Sequence, residues 1–281
     1  MQIKLIALDL DGTALRSNNT LSAAVAEAIE AAAAHGVEVV AASGRPYGSM
    51  PKDVLCLRGV NYVISSNGAA IHDRSGRRMH ETLLKQAAVL RLLELTKNED
   101  LIWEAFTDGA TYTDNRYLRN PLRYGCTPAY IRYVQSSRGG LDDMRQYIFQ
   151  NRARLDSVEY VCPDKAKRER VRRLLENSLE EVYITSSSAN FVEFMDAQAT
   201  KSNALRWLSK ALQIPLSRTA ACGNADNDAD MIACAGLKTA VANASASCRN
   251  AAEIILPSND NDGVARLIER IIKKESPSLF H

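Results

Sequence analysis

The sequence is poor in features that would each fix a class of protein. Its 281 residues include 6 cysteines and 4 histidines, and no two cysteines form a CxxC pair. Cys56, Cys126, Cys162, Cys222, Cys234 and Cys248, with His35, His72, His80 and His281, do not fall at zinc-ligand spacings. A zinc module is therefore not expected, and free thiols suit a reduced, cytoplasmic setting. No apolar run approaches the roughly 20 residues of a membrane span, and the run before Asp9 is too short for a secretory signal. Neither charge is in excess: 35 Lys and Arg face 33 Asp and Glu, a formal charge of +2. Nucleic acid and anionic membrane are accordingly not expected as partners. Low-complexity segments and tandem repeats are absent as well. With 46% hydrophobic and 24% charged residues, what remains is a soluble globular protein.

The pattern along the chain is one of alternation. Ile3 to Leu8 is short and largely apolar, and reads as a buried strand. Ser22 can cap a helix of alanines carrying Val25 and Ile29 that ends at Gly36. Val37 to Ala42 and Tyr62 to Ser66 read as the next strands, and such alternation implies a parallel sheet with right-handed crossovers. From about residue 82 the order changes to a helix (Leu83 to Lys97), a strand (Leu101 to Phe106), an Asp108-Gly109 hairpin signal and Ala110 to Thr113. It returns after a strand (Val158 to Cys162) as a helix (Asp164 to Leu179) and the strands Val182 to Thr185 and Phe191 to Met195. Residues 115–153 between the two copies give no assignable pattern. The parallel pattern then resumes with helices Lys201 to Leu212, Asp228 to Ala235, Ser245 to Ala252 and Gly263 to Lys274. Strands Thr219 to Cys222, Lys238 to Ala242 and Glu253 to Leu256 alternate with them. The expected fold is α/β: a Rossmann-like parallel-sheet core formed by 1–81 and 196–281, with an antiparallel α+β domain, 82–195, inserted in it.

Chemistry-bearing residues gather where strands end, which is where open α/β sheets bind ligands. Asp9-Leu10-Asp11-Gly12-Thr13 offers two carboxylates two residues apart. One can attack phosphorus while the other shuttles the leaving-group proton, or Asp11 and Gly12 can simply shape a bend. Ser43-Gly44-Arg45-Pro46 supplies a hydroxyl and backbone N–H groups suited to phosphate oxygens, or a capped helix start. Asn67-Gly68-Ala69 reads as a turn. Lys201 opens the first helix after the insert, where an ammonium can neutralise a phosphoryl group. Cys222-Gly223-Asn224-Ala225-Asp226-Asn227-Asp228 places hard oxygen ligands at a strand end, as Mg²⁺ prefers, and can also cap a helix.

In this order and spacing the DxDGT, SGR, Lys and GNxxND stretches resemble the four motifs of the haloacid dehalogenase (HAD) superfamily of phosphatases. The insert between the second and third motifs resembles the type IIB or Cof-like branch. So do Asn67-Gly68-Ala69 and the tail Ala242-Asn243-Ala244…Asp262-Gly263-Val264-Ala265. The resemblance covers the whole core; in the insert it rests on position and element order. It implies a Mg²⁺-dependent phosphatase of small phosphate monoesters, sugar phosphates or phosphorylated cofactors, acting through an aspartyl-phosphate. It implies Asp9 as nucleophile and Asp11 as general acid/base. Ser43, Gly44, Lys201 and Asn227 would hold the phosphoryl oxygens, and Asp9, Asp11 (by its main-chain carbonyl), Asn224 and Asp228 would surround Mg²⁺. Asn224 stands where the family has an aspartate that ligates the metal, so weaker Mg²⁺ binding is expected, with Asp226 as the candidate compensating carboxylate. Ser202 and Ser43 replace the commoner glycine and threonine.

The insert would act as a cap that encloses a small substrate and excludes water. Tyr112, Tyr117, Tyr124, Tyr130 and Tyr133, with Arg116, Arg119 and Arg123, form a polar-aromatic stretch suited to such a chamber, though none stands out as a ligand. The basic run Lys165, Lys167, Arg168, Arg170, Arg172 and Arg173 shares a helix with Val171, Leu174 and Leu175, and reads as a solvated face. Two other functions fit the same residues. One is a catalytically weak sensor of a phosphorylated metabolite, supported by Asn224; the other is a phosphotransferase that passes the phosphoryl group to a sugar hydroxyl. The expected partner is a small phosphorylated metabolite, and the sequence sets no oligomeric state.

Overall fold

In the computed structural model, which describes residues 2–186 and 190–273, Leu5–Asp9 (β1) is buried at all five positions. A strand so placed has neighbours at both edges and cover on both faces. His281 and the expected helix end at Lys274 lie outside the described residues. In chain order β2 (Glu38–Ala42), β3 (Val60–Ser65), β4 (Ala70–Asp73) and β5 (Arg78–Glu81) follow. Next come β6 (Ile102–Thr107), β7 (Ala110–Asp114), β8 (Arg138–Leu141), β9 (Leu155–Val161), β10 (Val182–Thr185) and β11 (Phe191–Asp196). The chain closes with β12 (Thr219–Gly223), β13 (Leu237–Val241) and β14 (Ile254–Leu256). Two compact units result: Met1–Ser43, Met50–His80 and Thr200–His281 make one, Gly44–Ser49 and Glu81–Ala199 the other.

The sheet of the first unit runs β14-β13-β12-β1-β2-β3-β4-β5. β1 is parallel to β12, with Leu8 opposite Cys222, and to β2, with Asp9 opposite Ala42. This register brings Asp9, Ser43 and Gly223-Asn224 out together at the carboxyl edge. The helices Ala23–Ala34 and Gly263–Ile272 pack on each other, while Lys201–Ala211, Ala229–Cys234 and Ala246–Ala251 form a second set. Ser22 caps the first helix by accepting from the Val25 N–H at 3.1 Å. Thr200 caps Lys201–Ala211 through the Asn203 N–H at 3.1 Å, which sets Lys201 at the first helical position.

The sheet departs from the expected all-parallel core at one edge, where β4 runs antiparallel to β3 and β5 lies beyond it. The turn between them is made by Asp73, whose side chain accepts from the N–H groups of Ser75 (2.9 Å) and Arg77 (3.1 Å).

The second unit holds a sheet in the order β10-β11-β9-β6-β7-β8. Asp108 (φ +52°) and Gly109 (φ +81°) are both left-handed, as the tight hairpin between β6 and β7 requires. The other pairings are antiparallel, but β8 joins β7 in parallel, which the order of elements did not suggest. Trp103, Ala105, Val158, Tyr160, Val192 and Phe194 fill one face, under the helices Gln86–Leu95, Met144–Gln150 and Lys165–Glu176. On the opposite face Ile102 and Val161 pack with Tyr117 and Val134. That face also carries Glu104, Glu159 and Glu193, in cross-strand register and buried, with Arg138 donating to Glu104 at 2.8 Å.

The segment Gly44–Ser49 joins this unit by donating the Gly48 N–H to the Gly109 carbonyl at 2.8 Å. The guanidinium groups of Arg45 and Arg138 both lie over the Tyr133 ring, 4.9 and 5.3 Å from its centre. Other expected chamber residues are engaged within the unit: Tyr117 packs edge-on to Tyr124, Tyr112 packs on Tyr147, and Arg116 pairs with Asp114 and Asp100. Four residues of the basic run are engaged locally, while Lys165 and Arg173 are exposed. Arg170 pairs with Glu99, Arg172 with Glu176, Lys167 donates to the Asp100 carbonyl, and Arg168 is buried against the Cys162 carbonyl. Among the described residues no helix is long and apolar enough to cross a membrane.

Candidate active site

Three strand ends and one helix start build the candidate site in the first unit. Asp9 is the last residue of β1 and is 5% exposed. Lys201, 1% exposed, donates its Nζ to Asp9 Oδ1 at 2.7 Å and to Asp228 Oδ1 at 2.5 Å. Asp228 is fully buried, and its Oδ2 accepts from the N–H groups of Asn224 and Ala225, both at 3.0 Å. The Asp228 carboxylate thus accepts from three protein donors, and these contacts hold Lys201 and the turn 223–228. Gly223 gives that turn its room, because a Cβ there would fall 2.4 Å from the Asp228 Cβ.

The turn after β1 is fixed from several sides. Gly12 is left-handed (φ +77°), and a Cβ there would meet the Asn224 amide at 2.6 Å. Thr13 donates its hydroxyl to Asn224 Oδ1 at 2.9 Å, and Asn243 donates to the Gly12 carbonyl at 2.8 Å. Asp11 is half-buried, its backbone bridged to Leu15. Ser43 is buried, donates its N–H to Ile64 and accepts from the Asn67 N–H at 3.0 Å. Asn227 Nδ2 donates to Asn67 Oδ1 at 2.7 Å.

Burial and the neighbouring Asp228 carboxylate push the Asp9 carboxyl up to about 7, although Lys201 works in the opposite direction. Burial disfavours charge on Lys201, but Asp228 and Asp9 outweigh it and hold the ammonium above the usual lysine range. A carboxylate pair sharing one buried cation leaves room for more positive charge. Asp9 Oδ2 and Asn227 Oδ1 are buried and have no hydrogen-bond partner among the described residues. Also among the described residues, no three His, Cys, Asp or Glu side chains converge as a metal cluster. Any cation here would depend on few carboxylates, completed by amide and main-chain oxygens.

The structure therefore brings together Asp9, Lys201, Asp228, Asn224, Asn227 and, by register, Ser43. Gly44 begins the six-residue segment that clusters with the second unit. Asp226 does not take the compensating place expected of it. It is exposed, and the hydroxyls of Ser247 and Ser245 hold its carboxyl below the usual aspartate range. Thr13 and Asn67 carry contacts that strand-end reasoning did not assign them. An asparagine followed by glycine two residues past a strand end is the signal for the second; for Thr13, adjacency to the DxD pair is.

The family model of haloacid dehalogenase-like hydrolases matches residues 6–268. Phosphatase YwpJ of Bacillus subtilis is 30% identical, over 96% of this chain and 100% of its own. The 5-amino-6-(5-phospho-D-ribitylamino)uracil phosphatase YwtE of the same organism is 26% identical, over 96% and 98%. The solved structure of a haloacid dehalogenase-like hydrolase from B. subtilis superposes with a TM-score of 0.82 at 30% identity, covering 95% of this chain and 99% of that one.

Proposed function

The chain belongs to the haloacid dehalogenase-like hydrolases as a phosphatase of their Cof-like branch, and we propose that it hydrolyses small phosphate monoesters through an aspartyl-phosphate on Asp9. The observation that carries this reading is the buried Asp9–Lys201–Asp228 array at the carboxyl end of β1. A carboxylate and an ammonium held rigidly in a dry site are suited to attack on, and charge neutralisation of, a phosphoryl group.

In the proposed reaction a carboxylate oxygen of Asp9 forms the new bond to phosphorus as the ester P–O bond breaks, and Asp11 protonates the departing alkoxide. Water then attacks phosphorus, Asp11 takes its proton, and the bond to Asp9 breaks to release phosphate. Lys201, the Ser43 hydroxyl, the Gly44 N–H and Asn227 hold the phosphoryl oxygens. Asp228 keeps Lys201 charged and pointed at Asp9.

Phosphatases of this superfamily generally use a divalent metal, and the residues present fit one. Asp9 Oδ2 is a buried carboxylate oxygen without a hydrogen-bond partner among the described residues, and the surrounding donors are hard oxygens. We assign the ion as Mg²⁺, held by Asp9, the Asp11 carbonyl and the Asn224 amide, with Asp228 next to them. When bound it would lower the Asp9 carboxyl and neutralise charge on the phosphoryl group.

The substrate class we favour is sugar phosphates and phosphorylated cofactors of similar size, with residues 82–195 acting as the cap that keeps water out. The six free cysteines suit the cytoplasm. The test is phosphate release from a panel of sugar phosphates, nucleotides and cofactor phosphates, including the ribitylamino-uracil ester on which YwtE acts, across a Mg²⁺ titration. Metal-dependent turnover that vanishes in Asp9→Asn is the expected result. Binding without turnover at any Mg²⁺ concentration would instead favour a metabolite sensor.

A further inference from the structure

The loop after β3 follows a backbone path that local sequence preference does not explain. Ser66 (φ +48°), Asn67 (φ +55°) and Gly68 (φ +105°) are three consecutive left-handed residues, and two of them are not glycine. Such runs are disfavoured for L-residues and persist where surrounding structure over-determines them. Here the surroundings are the three other segments of the candidate site. The Asn67 N–H donates to the Ser43 carbonyl at 3.0 Å. Its Oδ1 accepts from Asn227 Nδ2 at 2.7 Å, a contact between positions 160 residues apart. Gly68 lies against the Thr200 carbonyl, so closely that a Cβ would fall 2.2 Å from that oxygen, and Thr200 is the cap of the helix that Lys201 begins.

Ser66, Asn67 and Gly68 are all buried. A solvent-facing turn would use asparagine for its tolerance of positive φ alone, and its side chain would meet water. This one instead receives the amide of Asn227, whose Oδ1 has no partner among the described residues. The bond to Asn67 is thus what orients that amide.

We propose that Asn67 is a positioning residue of the phosphatase reaction. It sets the Asn227 amide through its side chain and ties the ends of β2 and β3 together through its backbone. Gly68 extends the same loop to the cap of the Lys201 helix. The inference rests on the reading that places Ser43, Lys201 and Asn227 on the phosphoryl group.

The test is steady-state kinetics and thermal unfolding of Asn67→Gly, Asn67→Asp, Asn227→Ala and the Asn67→Gly/Asn227→Ala double variant, with Asp9→Asn alongside. Glycine keeps the left-handed backbone and deletes the side chain, so the melting midpoint should move by no more than about 3 °C. We expect kcat to fall roughly 10- to 100-fold, with KM changed by less than about threefold. The double variant should be no slower than the slower single one, because both remove the same contact. Asn67→Asp retains the acceptor for Asn227 and should keep a higher kcat than Asn67→Gly. The proposal is overturned if Asn67→Gly turns over at the wild-type rate. Losses that multiply in the double variant, or a fall in kcat that merely tracks loss of folded protein, would overturn it too. Turnover surviving in Asp9→Asn would overturn the aspartyl-phosphate reading; undiminished Asn67→Gly beside an inactive Asp9→Asn would overturn the positioning role alone.

Discussion

Thr13 donates its hydroxyl to the side-chain oxygen of Asn224 at 2.9 Å, joining the turn after β1 to the turn after β12. The amide oxygen is thereby fixed in place, and it brings no charge. Asn224→Asp would keep the acceptor for Thr13 and add a negative charge among the proposed metal ligands. Mg²⁺ affinity, read by calorimetry, is expected to rise roughly tenfold or more. Unchanged affinity would mean that position 224 lies off the metal.

Among the described residues Lys201 is the cation paired with the two buried carboxylates of Asp9 and Asp228, and its loss would leave both uncompensated. Lys201→Met is expected to abolish turnover and to lower unfolding free energy by about 3–5 kcal/mol in urea titration. Near wild-type stability would show that the array relaxes to admit water.

His72 lies buried in β4, beside Ser65, and burial with the nearby Arg78 holds its imidazole down at about 4. Asp73 pulls the other way. The folded value lies below the unfolded value of about 6.5, so the unfolded chain binds the extra proton first. Stability from this group is present above pH 6.5 and lost as pH falls from there toward 4. The loss should be on the order of 2–3 kcal/mol, and His72→Asn should flatten that part of the profile.

Glu159 lies between Glu104 and Glu193 in the second unit, and burial followed by those two carboxylates pushes it well above the usual glutamate range, against Arg138. The sign is opposite in pH. A raised carboxyl favours the folded state at low pH, and that contribution is lost as pH rises through its folded value. Glu159→Gln should therefore unfold at higher denaturant than wild type under alkaline conditions and show little difference near pH 4. A less stable Glu159→Gln at pH 8 would show that the carboxylate is needed in its charged form.

Much of the first unit could be read from the sequence because local signals and tertiary structure agree there. Ser22 caps the helix it was expected to cap, and in the second unit Asp108-Gly109 likewise turns the hairpin it signalled. Gathering Asp9, Ser43 and Asp228 followed the rule that parallel strands place their ends together, while Lys201, at a helix start, was placed with them only by the resemblance in motif order. β4 and β5 escaped because edge strands need little apolar alternation: β5 reads Arg-Met-His-Glu. Residues 115–153 escaped for another reason. Their helices have five to seven residues, too short to declare themselves by periodicity, and depend on contacts such as Tyr117 on Phe191. The buried glutamates escaped because strand alternation places such residues in water, and only the covering segment with Val134 and Arg138 shows otherwise. The partner of Asn67 lies 160 residues away, beyond any local pattern.

The separation of Asp9 from Lys201 by 192 positions has a bearing on how the molecule is made. A ribosome delivers β1 and β2 early, but the central β1–β12 pairing must wait for Thr219. Such distant pairing is slow to nucleate, whereas the second unit, continuous in sequence from Glu81 to Ala199 apart from one short segment, can condense as it emerges. The nascent chain thus carries Asp9, the proposed nucleophile, for most of synthesis without its Lys201 partner. The Asp9–Lys201–Asp228 array can assemble only with the last strands of the sheet.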